Sequence, residues 1–126
     1  MAVNPSFKAF VAEQLAGVGL FSIRGMFGGA GVFADGVMFG LIFEDTLYLK
    51  ADASSAKAFE AEGAKVFTYE TSQGTHTLGS YWQVPERLFD DPDEMTDWAR
   101  RSLRIARSLQ KPKARKGRRG KGKPKR

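Results

Sequence analysis

Apolar residues first recur at helical spacing: Phe7, Phe10, Val11, Leu15 and Val18. Asn4-Pro5 stands before them as an N-cap and a proline at the first helical position, and Gly17 and Gly19 supply a stop. The pattern predicts a helix over residues 5–18. From Ser22 to Thr77 it shifts to strands. Ile23 to Phe27 is the first, and Gly28, Gly29 and Gly31 crowd a turn that side chains would obstruct. Val32 and Phe33 lead to Asp35-Gly36, a two-residue hairpin signal. Val37 to Phe43 follows as a largely apolar strand suited to the centre of a sheet, and Glu44-Asp45 turns the chain. Leu47, Leu49 and Ala51 then alternate with Tyr48 and Lys50, as in a half-buried strand.

Ser54 caps a short helix over Ser55 to Glu62, with Ala58 and Phe59 facing inward and Gly63 as the stop. Val66 to Glu70 is another strand, which Ser72-Gln73-Gly74 turns into Thr75 to Val84. Gly79 marks a candidate bulge there, and Pro85 ends the run. The last helix opens on Asp91-Pro92-Asp93-Glu94, a capping-box-like start whose acids favour the helix dipole. Met95, Trp98, Ala99, Ser102, Ile105, Ala106 and Leu109 form its apolar stripe, which predicts a buried Trp98 packed on the first helix or the sheet. Arg100, Arg101, Arg104 and Arg107 lie mostly off that stripe. Lys111-Pro112 disfavours continuation, so the helix is expected to end near Leu109.

Length and charge sharpen this picture. The chain has 126 residues, which suits one domain, and no Cys, which excludes disulfides and thiolate catalysis. Its N-terminus lacks the basic start and apolar run of a secretory signal. A cytoplasmic protein is the expectation, with association with the nucleoid through its basic end. The net charge of +6 divides unevenly. All ten basic residues of 111–126 (Lys111, Lys113, Arg115, Lys116, Arg118, Arg119, Lys121, Lys123, Lys125 and Arg126) stand there without an acid. The body over 1–110 is therefore −4 and the tail +10. Gly, Pro and like charges cannot offset the entropy of ordering, so 111–126 reads as a disordered tail after a folded domain over 1–110.

Candidate chemistry is sparse. His76 is the only histidine, flanked by Thr75 and Thr77 on a strand, and reads as a surface or pairing residue. One His without Cys does not make the usual transition-metal site. Asp90, Asp91, Asp93, Glu94 and Asp97 cluster, but capping accounts for most of them. The glycines at 28, 29 and 31 match neither the Walker nor the dinucleotide pattern and join two strands instead of opening a helix. Ser54, Ser55 and Ser80 have no visible base partner. No catalytic, metal-binding or cofactor-binding residue is assigned. The aromatics Phe33, Phe39, Phe43, Tyr48, Tyr69, Tyr81 and Trp82 form either a stacking platform for single-stranded nucleic acid or, more simply, core. Alternation puts Tyr81 and Trp82 on opposite faces, which leaves one of them exposed or at a dimer interface. The tail gives the sharpest signal, since its charges attract polyanions without reading sequence. The plainer alternative is a solubilising tail with no fixed partner.

The motifs, taken in order, resemble those of the TfoX N-terminal domain family. They are Met26-Phe27-Gly28-Gly29, Gly31 through Gly36, Met38-Phe39-Gly40-Leu41-Ile42 and Leu47 through Asp52. Phe59 with Gly63, Phe67-Thr68-Tyr69, Ser80-Tyr81-Trp82 with Val84-Pro85, and Asp90 through Ala99 complete the series, over roughly residues 20–107. The resemblance implies an α+β fold: an antiparallel sheet of about five or six strands flanked by an N-terminal helix, a short middle helix and a long C-terminal helix. It also implies a bacterial regulator of competence and transcription without established enzyme activity or cofactor. The full-length regulator continues into a second, helical domain where this chain carries its basic tail. The expected partners are nucleic acid at the tail and, at the folded domain, a protein, with a second copy of this chain as one candidate, and no membrane. A small-molecule-binding domain or an uncharacterised enzyme, using a pocket beside the sheet, is the alternative. A convergent polar pocket would favour that alternative, and a flat apolar patch or two-fold interface would favour the adaptor.

Overall fold

The computed structural model describes residues 4–26 and 28–115. Its elements are α1 (Pro5–Gln14), β1 (Ser22–Met26), β2 (Gly29–Ala34), β3 (Val37–Phe43), β4 (Thr46–Lys50), α2 (Ala53–Ala61), β5 (Val66–Thr71), β6 (Gly74–Gln83) and α3 (Pro92–Arg115). Short 3-10 turns follow α1 (Ala16–Val18) and precede α3 (Glu86–Asp90). The strands form one antiparallel sheet in the order β1-β2-β3-β4-β6-β5. This is the α+β architecture expected. None of the described helices is long and apolar enough to cross a membrane.

The main core lies between one face of the sheet and the helices. Val11 from α1 and Leu15 directly after that helix, Phe59 from α2 and Met95, Ala99, Leu103 and Ala106 from α3 are buried with Val32, Phe39, Ile42, Leu47 and Leu49. A second, smaller cluster centres on Leu41, Phe67 and Tyr81, and all its members come from strands. Leu41 and Ile42, like Tyr81 and Trp82, are neighbours in sequence that fall into different clusters. Pleat alternation therefore places the second cluster on the face of the sheet away from the helices.

Several local expectations are corrected. The α-helix α1 stops at Gln14 and a 3-10 turn completes the span to Val18. Gly17 there is needed for close approach to α3, because a β-carbon would collide with the Thr96 side chain. Of the glycines assigned to the first turn, Gly28 alone takes φ +79°, while Gly29 and Gly31 lie inside β2. A β-carbon on Gly29 would collide with the Ile42 carbonyl oxygen, so this glycine serves strand contact instead of the turn. The cap of α2 is Asp52, not Ser54. Its carboxylate accepts from the Ser55 amide at 2.8 Å and the Ser55 hydroxyl accepts from the Asp52 amide at 3.1 Å. Both helix-end donors are thus satisfied reciprocally.

The stripe of α3 is rotated from the one expected. Met95, Ala99, Ser102, Leu103 and Ala106 are buried, Trp98 and Ile105 are half-buried, and Leu109 is 55% exposed. Trp98 packs against the main core and meets Phe59 of α2 edge-on, with ring centroids 4.9 Å apart. The helix also continues past Leu109 to Arg115. Proline costs the helix one amide donor and biases its predecessor away from helical backbone without forbidding it. The first residues assigned to the tail, 111–115, therefore have helical backbone. The remainder of the tail, 116–126, and Phe27 lie outside the described residues.

Candidate functional site

The face of the sheet away from the helices owes its composition to two irregularities. In the β2–β3 ladder Val32 pairs with Gly40 and Phe33 with Met38, which leaves Phe39 as an extra residue. This bulge reverses the alternation of β3. Val37 and Phe39 point into the main core before it and Ile42 after it, so Met38, Leu41 and Phe43 share the opposite face. In the β5–β6 ladder Val66 pairs with Trp82 but Phe67 pairs with Leu78. Gly79 lies within the extra segment of β6, where a bulge was expected. Beyond it, Phe67 and Tyr69 of β5 stand on the same face as Leu78 and His76 of β6.

Phe67 is the hub of this face. Its ring meets Phe43 edge-on at 5.3 Å and Tyr48 at 4.8 Å, and stacks on Tyr69 at 5.6 Å. Tyr69 stacks in turn on His76 at 5.4 Å, whose Nε2 lies 3.0 Å from the Thr71 hydroxyl. The Tyr81 hydroxyl donates to the Met38 carbonyl at 3.2 Å, and burial pushes this phenol up to about 12. Burial likewise raises Tyr48 and lowers Lys50, whose ammonium sits 4.9 Å from the Tyr81 ring centre. Farther out, the Arg24 guanidinium lies 4.1 Å from the centre of the Phe33 ring.

Between β3 and the β5–β6 hairpin this arrangement leaves a cleft of about 470 Å³, walled by Met38, Leu41, Phe43, Phe67, Tyr69 and Leu78 with Gly29 at its edge. Tyr69 is the one ionisable side chain among these lining residues. Such a surface is suited to burying an apolar group. A second cleft, of about 490 Å³, lies beside Phe7, Phe10 and Phe89 and carries Asp45, Glu62 and Glu86 on its lining. Glu62 there is engaged by Arg87, which also holds Glu94.

The aromatic residues singled out in the sequence therefore separate. The sheet gathers Phe43, Tyr48, Tyr69 and Tyr81 on the face away from the helices, while Phe39 and Trp82 belong to the main core. Phe67, Met38, Leu41 and Leu78 were missed as site residues. The alternation of Phe67 with Tyr69 was the available signal. Asp91 caps α3, accepting from the Glu94 amide at 3.2 Å, and Glu94 pairs with Arg87. No group of three or more metal-ligating side chains occurs among the described residues. Ser55 is a capping residue, and the Ser80 hydroxyl accepts from Lys50 at 3.5 Å. Of the basic tail residues, Lys111, Lys113 and Arg115 fall on the last turns of α3. Lys116, Arg118, Arg119, Lys121, Lys123, Lys125 and Arg126 lie outside the described residues.

No curated protein matches the chain. The family model for the TfoX N-terminal domain matches residues 13–106. That span contains every strand of the sheet, the whole of α2 and α3 as far as Ala106. This chain belongs to the TfoX N-terminal domain family.

Proposed function

We propose that the protein is a non-enzymatic regulatory or adaptor protein of competence or transcription control, whose tail binds nucleic acid without sequence preference. The observation that carries the reading is the charge division, a body at −4 joined to a tail at +10. The body repels a polyanion on average, whereas neutralising phosphates with the tail releases counterions. The folded domain supplies the protein contact. Its apolar cleft beside Phe67 suits side chains of a protein partner, since it presents aromatic and aliphatic surface without convergent charge.

The test compares the full chain with a version lacking 111–126 on duplex DNA at two salt concentrations. With about five phosphates engaged, the log–log salt slope is about −4 to −5, and affinity near physiological salt is roughly micromolar or weaker. Truncation removes most of the binding and leaves the fold intact, because the described core ends at Ala106. Undiminished binding by the truncated body would overturn the tail's role. A second reading, a small-molecule site in the same cleft, draws on its volume of about 470 Å³, within the range of ligand pockets. Saturable binding of a small apolar probe, abolished by Leu41→Glu, would favour it over a protein partner.

A further inference from the structure

The exposed side of α3 carries charge in two blocks. Asp93, Glu94 and Asp97 occupy its beginning, and Arg100, Arg104 and Arg107 follow. These three arginines are exposed, opposite the buried Ala99, Ser102 and Ala106. Their spacings of four and three residues set them along one line of the helix. Because α3 continues to Arg115, the same line reaches position 111, about 16 Å along the axis from position 100.

Helix-dipole compensation does not account for this line. That effect fades within the last turn, and Arg100 and Arg104 stand well before it. Ion pairing takes up one member of the line: Arg107 pairs with Asp35, whereas Arg100 donates to the Gly17 carbonyl at 2.9 Å and Arg104 has no ion-pair partner among the described residues. A guanidinium has five N–H donors, so the single bond from Arg100 leaves most of its donors available while fixing its direction. Side chains already held in place lose less entropy on binding.

We propose that Arg100, Arg104 and Arg107 form a second part of the nucleic-acid interface, a track for the phosphate backbone of duplex DNA on the exposed side of α3. The proposal rests on the tail's binding to nucleic acid and extends it onto the folded domain. Alone, the track sits on an acidic body and binds weakly. Joined to the tail, it fixes the orientation of the domain on the duplex. Phosphate contacts position a protein without reading sequence, so the track adds register and not specificity.

The experiment uses the full chain and a labelled duplex of mixed sequence, with anisotropy read between about 50 and 200 mM salt. The variant Arg100→Gln with Arg104→Gln is compared with Lys8→Gln plus Lys57→Gln, which removes equal charge from exposed positions on α1 and α2. The expected result is a salt slope shallower by about 2 for the arginine variant and unchanged for the lysine control. Arg104→Gln alone, checked for wild-type circular dichroism, should lower the slope by about 1, and Arg104→Lys should restore it. Equal slopes for the arginine variant and the lysine control, on a wild-type chain that binds, would confine the interface to the tail and overturn the proposal. A wild-type chain that does not bind would instead overturn the tail reading beneath it.

Discussion

Phe67→Ala removes the hub of the second cluster, and its cost follows from what the ring touches. Phe67 is 5% exposed and makes aromatic contacts with Phe43, Tyr48 and Tyr69. Truncating a buried Phe to Ala costs about 3–5 kcal/mol, of which part is transfer and part is the cavity left behind. Here the void opens into the cleft that Phe67 itself lines, so water enters it and the cavity share shrinks. The expected loss is therefore near the lower end, about 3 kcal/mol, a large fraction of the about 5–15 kcal/mol typical of a domain. Chemical denaturation followed by tryptophan fluorescence measures it, because Trp82 and Trp98 both pack against the main core. Hydrogen exchange adds the local reading: amides of the β5–β6 ladder should lose protection before those of β3. A stability loss below about 1 kcal/mol, with unchanged exchange in the hairpin, would show that the cluster does not hold the hairpin and would refute the reasoning.

Two further outcomes follow from the turns and the surface charges. Gly36 has φ +78° with open space where a β-carbon would go, so substitution there meets backbone strain alone. Gly36→Val should lower stability by about 1–2 kcal/mol and Gly36→Asn by clearly less in thermal denaturation, and equal effects would exclude the left-handed turn. Hydrogen bonds from Arg87 hold Glu62 and Glu94 below the usual carboxylate range. Their contribution is present above the unfolded Glu value of about 4.3 and is lost as pH falls through the lower folded values. Arg87→Gln should thus make the acid limb of stability shallower and leave the two proteins most alike at the lowest pH, and parallel acid limbs would contradict the pairing.

Legibility in the sequence followed the range of the interaction. Asp35-Gly36 was readable because a two-residue hairpin needs left-handed residues locally, and the pair has φ of 53° and 78°. Glu44-Asp45 was readable as a turn but not as the same conformation, since a glutamate, unlike an aspartate, seldom adopts the φ of 50° that Glu44 has there. The cap of α2 was displaced by two residues because Asp52 and Ser54 are both competent caps, and the reciprocal bond with Ser55 decides between them. The end of α3 was misplaced because Pro112 biases the backbone without forbidding a helix. Charge, by contrast, needs no fold to be counted. The tail was evident at once, while the arginine line depends on knowing which side of α3 is buried.

The cleft was hidden for a more specific reason. The run Val37 to Phe43 is apolar at almost every position, so it fits either face of a sheet and carries no parity of its own. Strict alternation from Val37 and Phe39 would send Leu41 and Phe43 into the main core and Ile42 outward. The extra residue at Phe39 reverses that order, and the pairing of Val32 with Gly40 makes room for it, since Gly40 has no side chain to press against Val32. A β-carbon at position 40 would come within 3.2 Å of the Val32 side chain. The walls of the cleft are thus set by a backbone irregularity several residues away. Leu41 and Phe43 face Phe67 because the bulge turned them there, and no composition rule applied to β3 alone identifies that face.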